Sequence, residues 1–224
     1  HPTAPAAEGT IAPMPIRRLP ERALHDRTEL YAVLDAGWVA TLAVAAGDRA
    51  QVVPVLYGRD GDSILVHGST GAGTLRLAAA GRPVTLCVTH LDGFVYAASL
   101  FESSANYRSA VVEGVCERLD GDAAHDALHM LGERLMPGRS AEVRANRPKE
   151  YAATMVLRLP ITDGAWTAKA RAAGPSHEPD DDPQVWTGVL PIETRLGTPV
   201  PSELAAARGI PLAASIVARL FPDR

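Results

Sequence analysis

The stretch of this chain best suited to chemistry is a turn of small residues at positions 68–74, which reads Gly-Ser-Thr-Gly-Ala-Gly-Thr. It follows the apolar run 64–66 and leads into a helix-like run at 75–80. Small residues leave main-chain N–H groups accessible, and the start of a helix adds a partial positive charge, so a phosphate would suit this place. The same residues also occur in a strand-to-helix turn that needs glycine for its backbone angles and binds nothing.

The composition limits the classes of partner. The chain has 224 residues, 46% of them hydrophobic, which is enough for one large or two small domains with a sizeable core. Its formal net charge of −4 argues against nucleic acid or an acidic membrane face as a partner. Cys87 and Cys116 lie in apolar runs without zinc-site spacing, so we expect reduced thiols and a cytoplasmic location. No stretch approaches the roughly 20 apolar residues of a membrane-spanning helix.

The elements that must position the turn form a mainly β pattern interrupted by helices. We expect an N-terminal arm at 1–25, a domain at 26–195 and a helical extension at 196–224. The predicted helices cover 26–37, 75–80, 123–135 and a short run from Ala141, and the predicted strands cover 38–46, 51–58, 63–68, 84–91, 94–100, 109–119 and 154–160. Because the strands do not alternate regularly with helices, the pattern predicts a closed or nearly closed antiparallel barrel.

Four pieces of the sequence, in this order, carry a family resemblance: residues 53–59, 65–69, 104–112 and 185–191. The third contains Asn-Tyr-Arg-Ser and the fourth Trp-Thr-Gly-Val-Leu-Pro. Together they resemble the pyridoxamine 5′-phosphate oxidase-like, FMN-binding split-barrel superfamily, in the branch that contains the nitroimidazole-resistance (Nim-type) proteins. The resemblance implies a six-stranded antiparallel split β-barrel that forms a homodimer, with two FMN sites between the subunits.

The resemblance also implies where the flavin would lie. The strand that ends at His67 would run beside the isoalloxazine ring, residues 54–57 would line the ring by main-chain contacts, and the 69–74 turn would hold the phosphate. Trp186, and Tyr107 with Arg108, would approach the site from the second subunit or support it. The cofactor-binding residues implied in this way are Pro54, Val55, Leu56, His67, Gly68, Ser69, Thr70, Thr74, Arg76, Tyr107, Arg108 and Trp186.

Two departures from the family pattern affect this site. Relatives commonly carry Ser-Arg or Ser-Lys late in the phosphate turn, whereas this chain has Ala72 and Gly73. Arg76, one helical turn further on, is the candidate substitute; without it, the phosphate would lose a charge-assisted contact and rest on N–H groups alone. Many relatives also place two histidines where this chain has Glu102 and Ser103.

Several of these residues have an equally ordinary structural interpretation. His67 at the end of an apolar strand is as often a core histidine as a ligand. Arg108 is more often an interface ion-pair partner than a ligand clamp, and Trp186 could simply seal an interface between subunits. The acidic run at 180–182, flanked by prolines, is typical of a solvated loop, so we predict no metal site.

Two functions remain open from the sequence. The first is a flavin-dependent oxidoreductase that transfers electrons to a small planar acceptor, with nitro-reduction among the candidate reactions and no side chain required as acid or base. The second is a non-catalytic dimeric module on the same scaffold, with haem or a small metabolite between the subunits. A further option is a purely structural dimer, which would have no ligand-sized cleft. All of these require a homodimer, which the apolar runs 84–88 and 111–112 favour because one small barrel does not readily cover them.

Overall fold

Ten antiparallel strands form one sheet, in a computed structural model that describes residue 16 and residues 18–222. The strands are β1 (Ala23–Leu24), β2 (Val39–Ala46), β3 (Arg49–Asp60), β4 (Ser63–Ser69), β5 (Pro83–Tyr96), β6 (Ser104–Val115), β7 (Glu117–Leu119), β8 (Thr154–Pro160), β9 (Trp166–Arg171) and β10 (Gly188–Pro191). Their order is β1-β9-β6-β5-β2-β3-β4-β8-β7, and β10 adds to the far end of β5.

The helices flank this sheet. They are α1 (Arg27–Asp35), α2 (Gly73–Ala79), α3 (Gly121–Leu135), α4 (Pro148–Ala152), α5 (Glu203–Ala207) and α6 (Ala214–Leu220). The mainly β split-barrel class predicted from the sequence is confirmed. The described sheet nevertheless has ten strands rather than six, and its end strands β1 and β7 do not pair with each other, so the sheet is not closed.

Three sequence predictions differ from the structure in detail. The predicted strands 84–91 and 94–100 are one strand, β5, which continues to Tyr96 through an irregularity at Asp92. The predicted helix from Ala141 is wrong, since a short 3-10 turn occupies Arg139–Glu142. Strands β9 and β10 were not predicted, because their short sequences lack a strong apolar alternation. The predicted arm at 1–25 lies mostly outside the described residues.

The core forms on both sides of β4. On one side, α1 packs Leu30, Val33 and Leu34 into a large apolar cluster that includes Ile64. The start of this helix is fixed by Asp26, whose carboxylate accepts a hydrogen bond from the Thr28 N–H at 2.7 Å. On the other side, α3 packs against Leu65 in a second cluster. Burial on both faces explains the uninterrupted apolar run that precedes His67.

The C-terminal part of the chain returns to the end of α3 and the 3-10 turn that follows it, where the Arg219 guanidinium donates a hydrogen bond to the Leu135 carbonyl. Helix α6 is held to the 3-10 turn by Ser215, whose N–H and hydroxyl donate to the Glu142 carboxylate at 2.7 and 2.6 Å. The Arg219 guanidinium lies 5.5 Å from the centre of the Trp38 ring. Within the described residues, no helix combines the length and apolarity needed to span a membrane.

Candidate functional site

A cavity of about 300 Å³ opens where β3 and β4 separate. The pairing of the two strands ends at Tyr57 and Val66. The next residues on each strand, Leu56 and His67, are not paired with each other and line the cavity. The start of α2 closes the far side of this gap. The lining residues are Val53, Pro54, Val55, Leu56, His67, Gly68, Ala72, Gly73, Thr74 and Leu75.

His67 is the one ionisable side chain that lines this cavity among the described residues. Its Nδ1 atom is buried and has no hydrogen-bond partner among the described residues. Burial lowers the pKa of the imidazole below its usual value, because the charged form loses its hydration. His67 is therefore a neutral side chain at physiological pH.

The small-residue turn is held by its own hydrogen bonds. The Gly71 N–H donates to Ser69 Oγ at 3.2 Å, the Ala72 N–H to the Ser69 carbonyl at 2.9 Å, and the Thr70 N–H to the Ala153 carbonyl at 3.1 Å. Ala72, at the N-cap of α2, offers no side chain to cap the helix. The first N–H groups of α2 therefore have neither an intrahelical acceptor nor a capping side chain, and they border the cavity.

Gly68 allows a close contact where β4 meets α2. A Cβ atom at this position would lie 2.4 Å from Cδ1 of Leu75, which is itself buried. The close approach lets α2 pack directly against the end of β4, and so places the turn beside His67. A larger residue would push the helix and strand apart or fill the cavity between them.

The structure brings together part of the predicted site. Six of the predicted residues line the cavity: Pro54, Val55, Leu56, His67, Gly68 and Thr74. Ser69 and Thr70 lie in the adjoining turn. Arg76 is exposed on α2 and is not a lining residue. Ala72 and Gly73, in the turn that the sequence analysis assigned to the phosphate, also line the cavity. The sequence analysis missed Val53 and Leu75 as lining residues. It also missed Gln51, whose Oε1 accepts a hydrogen bond from Thr74 Oγ1 at 3.3 Å.

Arg108 and Tyr107 do not reach this cavity within one copy of the chain. Arg108 instead makes a two-pronged ion pair with Asp92, with N–O distances of 2.9 and 2.7 Å. Hydrogen bonding from the guanidinium lowers the pKa of the Asp92 carboxyl. Asp92 lies at the irregularity in β5, so the pair fixes the bend in the β5–β6 hairpin. Arg108 is thus ion-paired within one chain, and its contact with a ligand across a subunit interface stays a prediction.

Trp186 also lies away from the cavity, on an exposed surface at the end of the β5–β6 hairpin. Its ring meets Tyr96 edge-on at 5.9 Å, and it covers Gly188, where a Cβ atom would lie 2.8 Å from the ring. Leu100 and Phe101, at the tip of the hairpin, are 95% and 91% exposed. We call this surface the hairpin patch; its members are Phe94, Tyr96, Leu100, Phe101, Trp186 and Leu190.

Comparison with known proteins identifies the family. The family model described as pyridoxamine 5′-phosphate oxidase matches residues 26–166, more than half of the chain. The chain belongs to the pyridoxamine 5′-phosphate oxidase-like family. The family resemblance drawn from the sequence is therefore confirmed. A search of curated proteins finds no match.

Solved structures of this family extend the comparison beyond residue 166. An FAD and haem binding protein from Mycobacterium smegmatis is 39% identical, with a TM-score of 0.85, and the match covers 88% of this chain and 96% of that one. A flavocytochrome from Azotobacter vinelandii is 27% identical, with a TM-score of 0.81 over 96% and 98% of the two chains. A putative 5-nitroimidazole antibiotic resistance protein from Bacteroides thetaiotaomicron, 14% identical with a TM-score of 0.54 over 66% and 85%, shares the fold.

The matches of this pyridoxamine 5′-phosphate oxidase-like chain differ in how much of it they cover. The family model ends at residue 166, and the nitroimidazole-resistance structure covers 66% of the chain. The Mycobacterium and Azotobacter proteins also match much of the remainder, which contains β9, β10, α5 and α6. This chain thus has the longer architecture of those two relatives.

Proposed function

We propose that this protein is a flavin-dependent oxidoreductase whose flavin lies in the cavity between β3 and β4. The observation that carries the proposal is an apolar cavity that holds the neutral His67 ring and is bordered by uncapped N–H groups. An apolar slot with a few polar groups suits a planar ring, and free N–H groups suit its phosphate. When bound, a flavin supplies the electron and hydride transfer that protein side chains lack.

The residues of the cavity fit such a group. Pro54, Val55 and Leu56 would lie along the isoalloxazine ring, with His67 at one edge. The N–H groups of Gly73 and Thr74 would bind the first phosphate, as expected for the start of a helix. We propose Arg76 as the cation that supplements them, since α2 carries it one turn beyond the phosphate position. Gly68 keeps the slot open by allowing α2 close to β4.

FMN and FAD share the ring and the first phosphate, so the cavity suits both. The sequence analysis favoured FMN through the family resemblance. The relative that is 39% identical is described as binding FAD. We therefore propose that the chain accepts both flavins in this cavity and that FAD binds more tightly.

We propose that two copies of the chain complete the site. The outer face of β2 and β3 consists of Val39, Thr41, Val52, Pro54 and Leu56. Three of these apolar side chains are largely exposed: Val39 at 56%, Val52 at 60% and Leu56 at 46%. Pro54 and Leu56 belong both to this face and to the cavity. A second copy on this face would cover the cavity, and its hairpin patch could supply the opposite wall through Trp186. Apolar surface of this extent is typical of a subunit interface.

The proposal is tested by flavin titration of the purified protein. We expect a bound flavin spectrum after addition of FMN or FAD, one flavin for each chain, and a dimer mass in light scattering. Gly68→Val should abolish the spectrum by filling the slot, whereas Gly174→Val, outside the cavity and where a Cβ meets nothing within 4 Å, should retain it. A monomer that takes up neither flavin would contradict the proposal.

A second candidate function is haem binding, which would make the protein a flavin-haem redox protein. It is supported by the long segment after residue 166, which this chain shares with the FAD and haem binding protein and with the flavocytochrome. A Soret band that appears on addition of haem to the flavin-loaded protein, at one haem for each chain, would support it. Haem that remains free in the same titration would exclude it without affecting the flavin proposal.

A further inference from the structure

The two nitrogens of His67 have different surroundings, and this difference determines which of them can carry the proton. Nδ1 is buried with no acceptor beside it among the described residues. A buried N–H without an acceptor is among the rarest unsatisfied groups in proteins, while an unsatisfied acceptor is better tolerated. The neutral ring is therefore more stable with its proton on Nε2. Nδ1 is then a buried acceptor without a donor, which costs less than a buried donor without an acceptor.

The cavity gives this ring no charged neighbour. Strand β3 presents Val55 and Leu56 to the cavity, and α2 presents Leu75. On β8, the residue paired with His67 is Val156, which is buried. His67 is the only ionisable residue among those that line the cavity in the described structure. Nothing nearby favours the imidazolium, and desolvation opposes it.

From this geometry we propose that His67 is held as the neutral Nε2–H tautomer and is an uncharged hydrogen-bond donor to the flavin ring. The inference rests on the proposed function, because it assigns a role to a residue of the same cavity. Two electrons from an external donor, such as dithionite, make the ring nitrogens and oxygens better acceptors. A fixed donor therefore binds the reduced ring more strongly than the oxidised ring and raises its reduction potential.

The donor differs from an ordinary titrating histidine in one respect. A histidine that became charged on flavin reduction would have to place its second proton on Nδ1. That N–H would be buried without an acceptor. The His67 contribution to the potential should therefore be independent of pH across the range in which exposed histidines titrate.

The first test concerns the protein before any flavin is added. In nitrogen NMR of histidine-labelled protein, the His67 signal, identified by its absence in His67→Gln, should show an unprotonated Nδ1 and a protonated Nε2 at neutral pH. A protonated Nδ1, or two protonated nitrogens, would overturn the inference. Because this measurement needs no flavin, it decides the tautomer even if the proposed function fails.

The second test measures the potential of bound flavin by dithionite titration. His67→Leu should weaken the preference for reduced over oxidised flavin about tenfold, which corresponds to about 30 mV for a two-electron couple. His67→Gln, which restores an N–H donor, should recover most of this change. His129→Leu, at an exposed histidine outside the cavity, is the matched control and should leave the potential unchanged.

The pH dependence separates the neutral donor from a charged one. Between about pH 5 and 8, the potential of the wild-type protein and that of His67→Gln should follow parallel lines. A break in the wild-type line that is absent from the variant would show a charged His67 and overturn the inference, as would an unchanged potential in His67→Leu. Failure of all variants and the wild type to bind flavin would instead contradict the proposed function.

Discussion

The cavity between β3 and β4 and the hairpin patch differ in how much of their surroundings one copy of the chain supplies. The cavity is backed by buried residues such as Val66 and Leu75, at 1% and 4% exposure. The side chains of the hairpin patch are instead largely exposed: Trp186 has 68% of its surface accessible and Phe101 has 91%. Substitutions at the cavity should therefore change folding and ligand binding together, and substitutions in the patch should change association of the two copies without changing the stability of one chain.

The largest effect is expected at Gly68. Gly68→Val places methyl groups where Leu75 already lies, so we expect a loss of about 1–3 kcal/mol in the free energy of unfolding, measured by urea denaturation. Flavin uptake should disappear in the same variant. Gly174→Val is the control, because it lies outside the cavity and a Cβ there meets no atom within 4 Å. Equal stability of Gly68→Val and the wild type would mean that α2 and β4 are not tightly packed.

Trp186→Ala should show the opposite behaviour. Because most of the ring is exposed, its loss should change the unfolding free energy by no more than about 0.5 kcal/mol. The dissociation constant of the dimer, measured by sedimentation, should rise at least about tenfold, as expected for an aromatic anchor. Val143→Ala, at an apolar residue that is 46% exposed and outside the patch, should leave association unchanged. If both variants associate equally well, the patch is not an interface.

A smaller effect is expected for the Asp92–Arg108 pair, which fixes the hairpin that carries the patch. Both side chains are about one-third exposed, so Asp92→Asn should cost only about 0.5–1 kcal/mol at neutral pH. The pKa of Asp92 is lower in the folded than in the unfolded protein, so the pair stabilises the fold above the unfolded pKa and loses this effect as pH falls through the folded pKa.

Urea denaturation at several pH values checks this prediction. The difference between Asp92→Asn and the wild type should shrink as the solution is acidified below about pH 4. Asp163→Asn is a matched control, because Asp163 pairs with Arg27 at 2.7 Å but is 85% exposed, and its effect should be smaller. A difference that grows on acidification would contradict the assigned role of the ion pair.

The smallest effect is local and concerns α6. Hydrogen bonds from Ser215 lower the pKa of the Glu142 carboxyl from 4.5 to about 2. The contact that attaches α6 is therefore fully formed at pH values above 4.5 and is lost as the pH falls toward 2. Glu142→Gln should increase hydrogen exchange in 214–220 at neutral pH without changing the global unfolding midpoint. Glu203→Gln, at an exposed carboxylate in α5, should leave that exchange unchanged. Unchanged exchange in Glu142→Gln would mean that α6 is held by other contacts.

The same comparison explains what the sequence could predict. Residues 64–74 form the cavity wall through local signals: an apolar run buried on both faces, then small residues that allow a turn. Their roles follow from neighbours in the chain, so they could be recognised without coordinates. Pro54, Val55 and Leu56 were recognised through the family resemblance.

The hairpin patch could not be predicted in the same way. Its contacts depend on an irregularity at Asp92 and on the pairing of β10 with the far end of β5, and neither leaves a periodic signal. The pairing of Arg108 with Asp92 depends on this register, and the contact of Trp186 with Tyr96 depends on the position of β10. A pattern of residue types does not encode which distant strand will add to a sheet.

The two ends of the strand order have a consequence for solubility. At one end, the two-residue strand β1 covers Ala168 and Lys169 of β9, and Lys169 also donates a hydrogen bond from Nζ to the Arg18 carbonyl. At the other end, β7 has three residues, two of which are charged. Short, charged or covered edges discourage strand addition from foreign chains. Removal of residues 16–24 would expose the edge of β9. We therefore expect the shortened protein to form β-sheet-rich aggregates on storage and the 224-residue chain not to aggregate under the same conditions.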